Sequence, residues 1–405
     1  MLNSNLNYKQ LNIKVFFVFL FFSASIFAQG FKFVIMSDSR GHYNGVNEPV
    51  LSAFVNDIVE NHKDVKFILF AGDMIDGSWW EPEKTISQIE HWKEVMAPIY
   101  DNPNMIWPKV WPVVGNHEIR NRKDEEGFRK AFQNVYMNGP DDEKGLSYSF
   151  DFGNAHFTVI NTDRWYYGAP NDTTDDRPAW HRIHRLDWVE KDLKAARERG
   201  IKRIFTVSHE MAFPVGGHLQ DGLPNLGRDL IFPLDSARTE HLEHRDDFWN
   251  LLKKYDVDAH LCGHEHTYGR QSVDGIYQII AGSAGAPLYH QNPKYGEETK
   301  DTLQYQEFTY TEALPYFKAL DYNYGPGKKS QRSENFVGAI AFNYVIIDVQ
   351  DDYADVVSYG IFPKEGTYDQ IDDDYKIIVL DKFRMEKTLK NETERDEQKN
   401  NIIRK

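Results

Sequence analysis

The 405-residue sequence holds a single cysteine, Cys262. An internal disulfide framework is therefore excluded, and stability in an oxidising compartment must come from core packing and bound metal. Long apolar runs are also missing. Beyond the first thirty residues no stretch approaches the roughly 20 apolar residues a helix needs to cross a bilayer, which argues against a stable membrane anchor. Basic residues are in deficit, 47 Lys and Arg against 62 Asp and Glu, for a net charge of -15. A nucleic-acid polymer is thus not expected as partner, because such binding neutralises phosphates with Lys and Arg. Small phosphate esters stay open, since bound cations can reverse the local field. No internal repeat or anchoring module is visible, against the reading of a structural surface protein.

What is present begins with MLNSNLNYKQLNIKVFFVFLFFSASIFAQG, in which Lys9 and Lys14 precede an apolar run from Val15 to Phe22, followed by small residues and Ala28. Residues 1–28 therefore read as a secretory signal cleaved near Ala28, and the protein is expected to be secreted or periplasmic. No cysteine follows the apolar run, so a lipid anchor is unsupported. Residues 29–375 are expected to form the folded domain, for which 41% hydrophobic residues suffice to pack a core. Residues 376–405, dense in charge after Asp381, read as a solvated helix or disordered tail.

Within the domain, short apolar runs alternate with stretches of helical period, the mark of an α/β layered sheet protein. Strands are expected at 31–36, 65–70, 111–114, 203–207, 257–262, 277–281 and 338–361. A hairpin turning at Gly153–Asn154 is expected over 147–163. Helices are expected around Val50–Val59, Ile86–Ile99, Leu186–Arg199 and Asp246–Tyr255. Three long polar segments, 164–185, 211–240 and 286–335, exceed what a connector needs and read as functional or disordered loops.

Five strand ends carry metal-ligating side chains: Asp38 in IMSDSRG, Asp73 in FAGDMID, Asn116 and His117 in VVGNHE, His209 in VSHE, and His264 with His266 in CGHEH. Each has a plain structural explanation taken singly. A strand-terminal Asp caps the next helix, GNHE makes a turn, alternating histidines sit in half-buried strands, and a lone histidine lies at the surface. Their recurrence is what counts. Ligand sites gather beyond the carboxyl ends of strands in open α/β sheets, so five strands can deliver these groups to one crevice. Carboxylate, amide and imidazole without thiolate suit Zn, Mn or Fe.

In this order, across about residues 31–290, the motifs resemble the calcineurin-like metallophosphoesterases, a family that includes purple acid phosphatases, cyclic-nucleotide phosphodiesterases and protein phosphatases. The resemblance implies a four-layer α/β/β/α sandwich with two stacked mixed sheets and two divalent metal ions at one edge. It assigns Asp38, Asp73 and His266 to a first metal, with Asp73 bridging to a second held also by Asn116, His209 and His264. It makes His117 the residue that contacts phosphate and protonates the leaving group, and Asp76 the carboxylate that orients it. The implied reaction is hydrolysis of a small phosphomonoester or phosphodiester by a metal-activated hydroxide, since two ions roughly 3.5–4 Å apart stabilise attacking and departing oxygens.

Arg40 departs from the family pattern, where Asp-x-His supplies a further ligand to the first metal. A protonated arginine cannot ligate. It can clamp a substrate phosphate, stand in for part of the first metal's charge, or pair with Asp38 or Asp73, and Asp76 or His42 can replace the lost ligand. Purple acid phosphatases, which also lack that histidine, place a tyrosine where this chain has Asp76. A non-catalytic relative that binds metal or phosphate is therefore the alternative reading. Trp79 and Trp80 fit either a platform beside the site or the core, and His218, Tyr268 and Arg270 are further candidates for contacts around it.

Overall fold

The computed structural model describes residues 30–78, 81–120, 122–163, 182–215, 234–289, 330–332 and 336–386. The expected signal segment, Trp79, Trp80, His218 and most of the long polar loops lie outside the described residues.

The strands in chain order are β1 (Phe31–Met36), β2 (Arg40–Gly41), β3 (Gly45–Val46), β4 (Val65–Ala71), β5 (Val110–Val113), β6 (Tyr148–Phe152), β7 (Ala155–Val159), β8 (Arg203–Val207), β9 (Ala259–Cys262), β10 (Tyr268–Val273), β11 (Ile276–Ala281), β12 (Ser330–Arg332), β13 (Phe336–Ala339), β14 (Phe342–Val349), β15 (Tyr353–Ile361) and β16 (Ile378–Glu386). The helices are α1 (Glu48–Asn61), α2 (Pro82–Val95), α3 (Ala97–Asp101), α4 (Arg122–Ala131), α5 (Leu186–Glu198) and α6 (Leu234–Lys254). A six-stranded sheet runs β16-β15-β14-β1-β4-β5, and an eight-stranded sheet runs β12-β13-β10-β11-β9-β8-β7-β6. Both are mixed. β1, β4 and β5 are mutually parallel, as are β7, β8, β9 and β11, with antiparallel strands flanking each set.

Period-2 alternation explains the layering. Along β1, Phe33 and Ile35 point between the sheets, where they meet Phe67, Phe157, Phe205 and Leu261. Val34 and Met36 point the other way and pack with Val50, Leu51 and Phe54 of α1 and Trp92 of α2. On the far side of the second sheet, Val189 and Leu193 of α5 and Phe248 and Leu252 of α6 cover Ile204 of β8. The result is the four-layer α/β/β/α sandwich expected from the sequence. The intersheet layer is largely aromatic: Phe33 stacks on Phe67 at 5.4 Å and meets Phe157 edge-on at 5.1 Å.

Several boundaries differ from expectation: the stretch 338–361 divides into the end of β13, β14 and β15, and the helix expected at Asp246–Tyr255 begins at Leu234, inside the loop expected over 211–240. The helix expected over Ile86–Ile99 is divided into α2 and α3, with Pro98 in the first turn of the second. The folded domain does not stop at 375, because β16 pairs with β15 over Tyr353–Glu386 to Gly360–Ile378. Its charged residues are those of a sheet edge, where Lys and Arg discourage pairing with other chains. Arg384 binds Asp355 and lies over the Tyr353 ring at 3.8 Å.

His156 on β7 clamps α5 to the second sheet. Its Nδ1 lies 2.6 Å from Asp151 Oδ1 on β6, and its Nε2 lies 2.8 Å from Asp192 Oδ2 on α5. Both nitrogens can donate only in the imidazolium. Burial works against that charge, but the two carboxylates outweigh it and raise the pKa above 6.5. A folded pKa above the unfolded one gives stability that is fully present below about 6.5 and lost as pH rises through the folded value. The thermal-midpoint gap between wild type and His156→Gln, followed by scanning fluorimetry from pH 5 to 9, is expected to be widest below 6.5 and to narrow at higher pH. An equal gap at every pH would show that the clamp does not titrate.

Candidate functional site

The carboxyl ends of the parallel strands converge at one edge of the sandwich. Asp38 follows β1, Asp73 follows β4, Asn116 follows β5, His209 follows β8, and His264 and His266 follow β9. Three of these depart from ordinary backbone: Asp38, Asp73 and His264 have φ of 55°, 52° and 66°. Such strain clusters where surrounding structure over-determines a functional geometry. Here the turns are held by main-chain bonds between strand ends, from Asp38 N–H to Gly72 O (3.0 Å), Ser39 N–H to Asp73 O (2.9 Å) and Gly263 N–H to His209 O (3.0 Å). Gly115 is required at this junction, because a Cβ there would lie 2.4 Å from Asp73 Oδ1.

The ligand atoms fall into two groups that share Asp73: Asp73 with His209 and His264, and Asp38 with Asp73 and His266. Two of the three imidazoles are aimed by a hydrogen bond on the outer nitrogen, as ligating histidines are. His209 Nδ1–H donates to Ala71 O (2.8 Å), and His266 Nδ1–H donates to Pro287 O (2.7 Å). His264 Nε2 faces Glu210 Oε2 at 3.4 Å. The inner nitrogens then present lone pairs to other lone pairs. His209 Nε2 lies 3.1 Å from Asn116 Oδ1, 3.1 Å from His264 Nδ1 and 3.3 Å from Asp73 Oδ1. His266 Nε2 lies 3.4 Å from Asp38 Oδ1, a buried atom with no hydrogen-bond partner among the described residues.

Acceptor facing acceptor is unfavourable unless positive charge lies between, so this donor set fits divalent cations. The electrostatics agree. Burial, reinforced by Asp73, pushes the Asp38 carboxyl up to about 7, and the same pair of causes pushes Glu118 up to about 8. Burial alone would lower His209, but the charges of Asp73 and Asp38 raise it to about 10, so without a cation the ring keeps on Nε2 a proton that a bound metal ion would displace. These shifts describe a buried site with surplus negative charge.

His117 lies at the rim of this cluster, with its main-chain N–H on Asp73 Oδ1 (3.0 Å) and its Nε2 3.7 Å from Asp73 Oδ2. The main chain of Asp76, rather than its carboxylate, contacts the ring: its carbonyl is 2.7 Å from Nδ1, whereas the half-exposed carboxylate is 3.8 Å away. Arg120 Nη2 lies 2.5 Å from the same Nδ1. Burial and the charges of Arg40 and Arg120 hold the ring well below 6.5, which favours the neutral form.

Arg40 reaches across the site mouth. Its Nε is 3.8 Å from Asp73 Oδ2, its Nη1 is 3.8 Å from Asp76 Oδ1, and its Nη2 donates to Tyr289 Oη (3.3 Å). Tyr289 in turn stacks on His266 with ring centroids 4.1 Å apart. Asp76 and His42 do not take the place of a ligand among the described residues. His42 is 86% exposed and faces Asp369 at 3.7 Å. Tyr268 and Arg270 lie elsewhere, both donating to Asp381 Oδ2 of β16 at 2.9 and 2.7 Å, and so fasten the two sheets.

Four site residues escaped the sequence reading. Glu118 accepts the main-chain N–H groups of Gly115 (2.8 Å), Asp73 (2.9 Å) and Ile75 (3.3 Å). Glu210 faces His264, Arg120 contacts His117, and Tyr289 covers His266. The first three sit next to or near a motif residue, which is the only local signal they carry. Tyr289 has none.

A family model described as calcineurin-like phosphoesterase matches residues 31–268, more than half the chain and inclusive of all six candidate ligands. Mouse acid phosphatase type 7 is 27% identical over 192 residues, covering 44% of this chain and 36% of that protein. The human acid phosphatase type 7 is 28% identical over 186 residues, with the same coverage. The match therefore spans little more than a third of these curated relatives. The fold is similar to that of a purple acid phosphatase from yellow lupin seeds (TM-score 0.54, 14% identity, 88% of this chain and 54% of that one). It is also similar to that of PhoD (TM-score 0.52, 10% identity, 88% of this chain and 70% of that one).

Proposed function

The chain belongs to the calcineurin-like phosphoesterase family, and on that premise we propose that it hydrolyses the phosphate ester of a small molecule. The observation that carries the reading is the convergence of lone pairs from Asp38, Asp73, Asn116, His209, His264 and His266, from five strand ends, into two adjoining groups that share Asp73. Asp38, Asp73 and His266 would hold one divalent ion, and Asp73, Asn116, His209 and His264 a second. Ions held there supply positive charge to phosphoryl oxygens and acidify water near neutral pH.

The chain's own groups do the rest. Glu118 fixes the main chain around Asp73, and Ala71 O, Pro287 O and Glu210 keep the ring nitrogens aimed inward. Arg40, at the mouth, meets two phosphoryl oxygens with its guanidinium. His117 directs Nε2 toward the cluster and delivers its proton to the departing oxygen, with Arg120 and the Asp76 carbonyl setting the ring's orientation. Both monoesters and diesters satisfy this arrangement. Export rests on residues 1–28, and the N-terminal sequence of the protein recovered from culture medium or periplasm checks it. No helix among the described residues is long and apolar enough to cross a membrane.

The test is turnover of nitrophenyl mono- and diphosphates by the protein loaded with Mn, Zn or Fe, with elemental analysis of bound metal. Neither turnover nor metal would refute the reading. His117→Ala is expected to retain metal and lower kcat by about 10²- to 10⁴-fold, the usual range for general acid catalysis. An unchanged kcat would remove His117 from the proton transfer.

A further inference from the structure

A cavity of about 690 Å³ opens directly beside the metal-ligand cluster. Arg40, Asp76 and Pro287, which adjoin the ligand cluster, line one end, and the segment between β15 and β16 lines the cavity through Lys364, Asp369, Asp372, Asp373 and Tyr375, together with Tyr43. Its size suits a small ligand and is too small for a polymer. The outer wall is not a loose appendage. The Asn47 amide donates both to Gly285 O (2.6 Å) and to Asp369 O (2.9 Å), and Leu288 N–H donates to Tyr368 O (2.8 Å). The same 283–289 segment ends in Tyr289, which stacks on His266. Wall and ligand cluster are thus tied to each other by hydrogen bonds through the 283–289 segment, a support that positioning a substrate's distal group requires.

The two ends of the cavity differ in charge. Arg40 stands at the inner end, where a phosphoryl group would bind. At the outer end Asp369, Asp372 and Asp373 line the cavity with Lys364 and His42, the last 3.7 Å from Asp369, so carboxylates outnumber the one lysine; two tyrosines, Tyr43 at 56% and Tyr375 at 40% exposure, line it as well. Carboxylates beside aromatic faces receive an ammonium by ion pairing and by cation–π attraction. An anionic distal group would meet repulsion there.

We propose that this cavity is the leaving-group subsite and that it selects phosphate esters of amino alcohols, the phosphate seated at Arg40 and the ammonium among Asp369, Asp372, Asp373, Tyr43 and Tyr375. The proposal rests on the phosphoesterase reading of the adjoining cluster. It names the substrate by charge pattern, and chain length beyond the ammonium is limited only by the volume available.

The test uses the metal-loaded full chain and three substrates whose leaving alcohols are cationic, neutral and anionic: O-phosphocholine, glycerol 2-phosphate and phosphoglycolate. The double variant Asp372→Asn, Asp373→Asn alters only exposed side chains, so it should fold. It is expected to lower kcat/KM for O-phosphocholine about tenfold, chiefly through KM, from the loss of two exposed charge contacts. Glycerol 2-phosphate should stay within about twofold, and phosphoglycolate should improve. Equal loss on all three substrates, or no change on any, overturns the subsite. Calorimetric titration with O-phosphocholine needs no turnover and separates the two readings. If no ester is hydrolysed but O-phosphocholine binds and the double variant weakens it about tenfold, the subsite stands and the hydrolytic reading falls. Indistinguishable binding of O-phosphocholine and phosphoglycolate overturns the subsite.

Discussion

Asp73→Asn is expected to leave the protein folded, strip it of metal and reduce turnover of any phosphate ester by at least about a thousandfold, a loss of several kcal/mol of transition-state charge stabilisation. Asp73 is the one side chain common to both ligand groups, so one substitution weakens both at once. Asparagine is the right replacement for a physical reason. Asp73 has φ of 52°, a conformation that Asn tolerates far better than Ala does. An Asn side chain can also still accept the His117 N–H that Asp73 Oδ1 accepts at 3.0 Å.

The variant therefore isolates charge from shape. Elemental analysis should show metal content falling in step with activity, while circular dichroism and the thermal midpoint of the metal-free proteins stay close to each other. Metal-free Asp73→Asn can even be the steadier of the two, since it removes one of the crowded buried charges. Activity surviving with metal gone would place the chemistry elsewhere in the molecule.

The clustering of the six candidate ligands was legible because each closes an apolar run: the strand was visible from Phe31–Met36 or Val65–Phe70, and the polar residue after it had only the sheet edge to occupy. The layered fold was legible for the same reason. Three features were hidden. β16 was lost because Lys382 and Arg384 give it the charge density of a solvated tail. Their charge is a property of an edge strand, and the buried Leu380, Asp381 and Met385 on either side of them are too sparse to mark a period. The partners of Asp381, Tyr268 and Arg270, lie more than a hundred residues away, so no local pattern announces them. Arg40's direction was unreadable as well, because it is set by Asp73, Asp76 and Tyr289 together and the last is 249 positions distant. Local spacing reports which side chains a strand end carries, and it is silent about what the rest of the chain brings to meet them.

Glu118 is the other place where a large effect is expected, and there it is on stability and geometry together. Its carboxylate accepts three main-chain N–H groups from two different strand ends, those after β4 and β5, in a fully buried position. Glu118→Ala leaves all three donors without that acceptor, and the desolvation of buried unsatisfied groups makes the expected loss on the order of 3–5 kcal/mol. Glu118→Gln keeps the volume and one oxygen. That oxygen can serve Asp73 and Gly115, while the new NH₂ opposes Ile75 N–H, so an intermediate loss is expected. Urea unfolding of the three metal-free proteins measures this ordering directly. The same substitutions should loosen Asp73 and lower metal affinity, although Glu118 faces main-chain N–H groups and is in neither ligand group. A Glu118→Gln protein as stable as wild type but with lost metal binding would mean that Glu118 acts through its charge and not through the turn it holds.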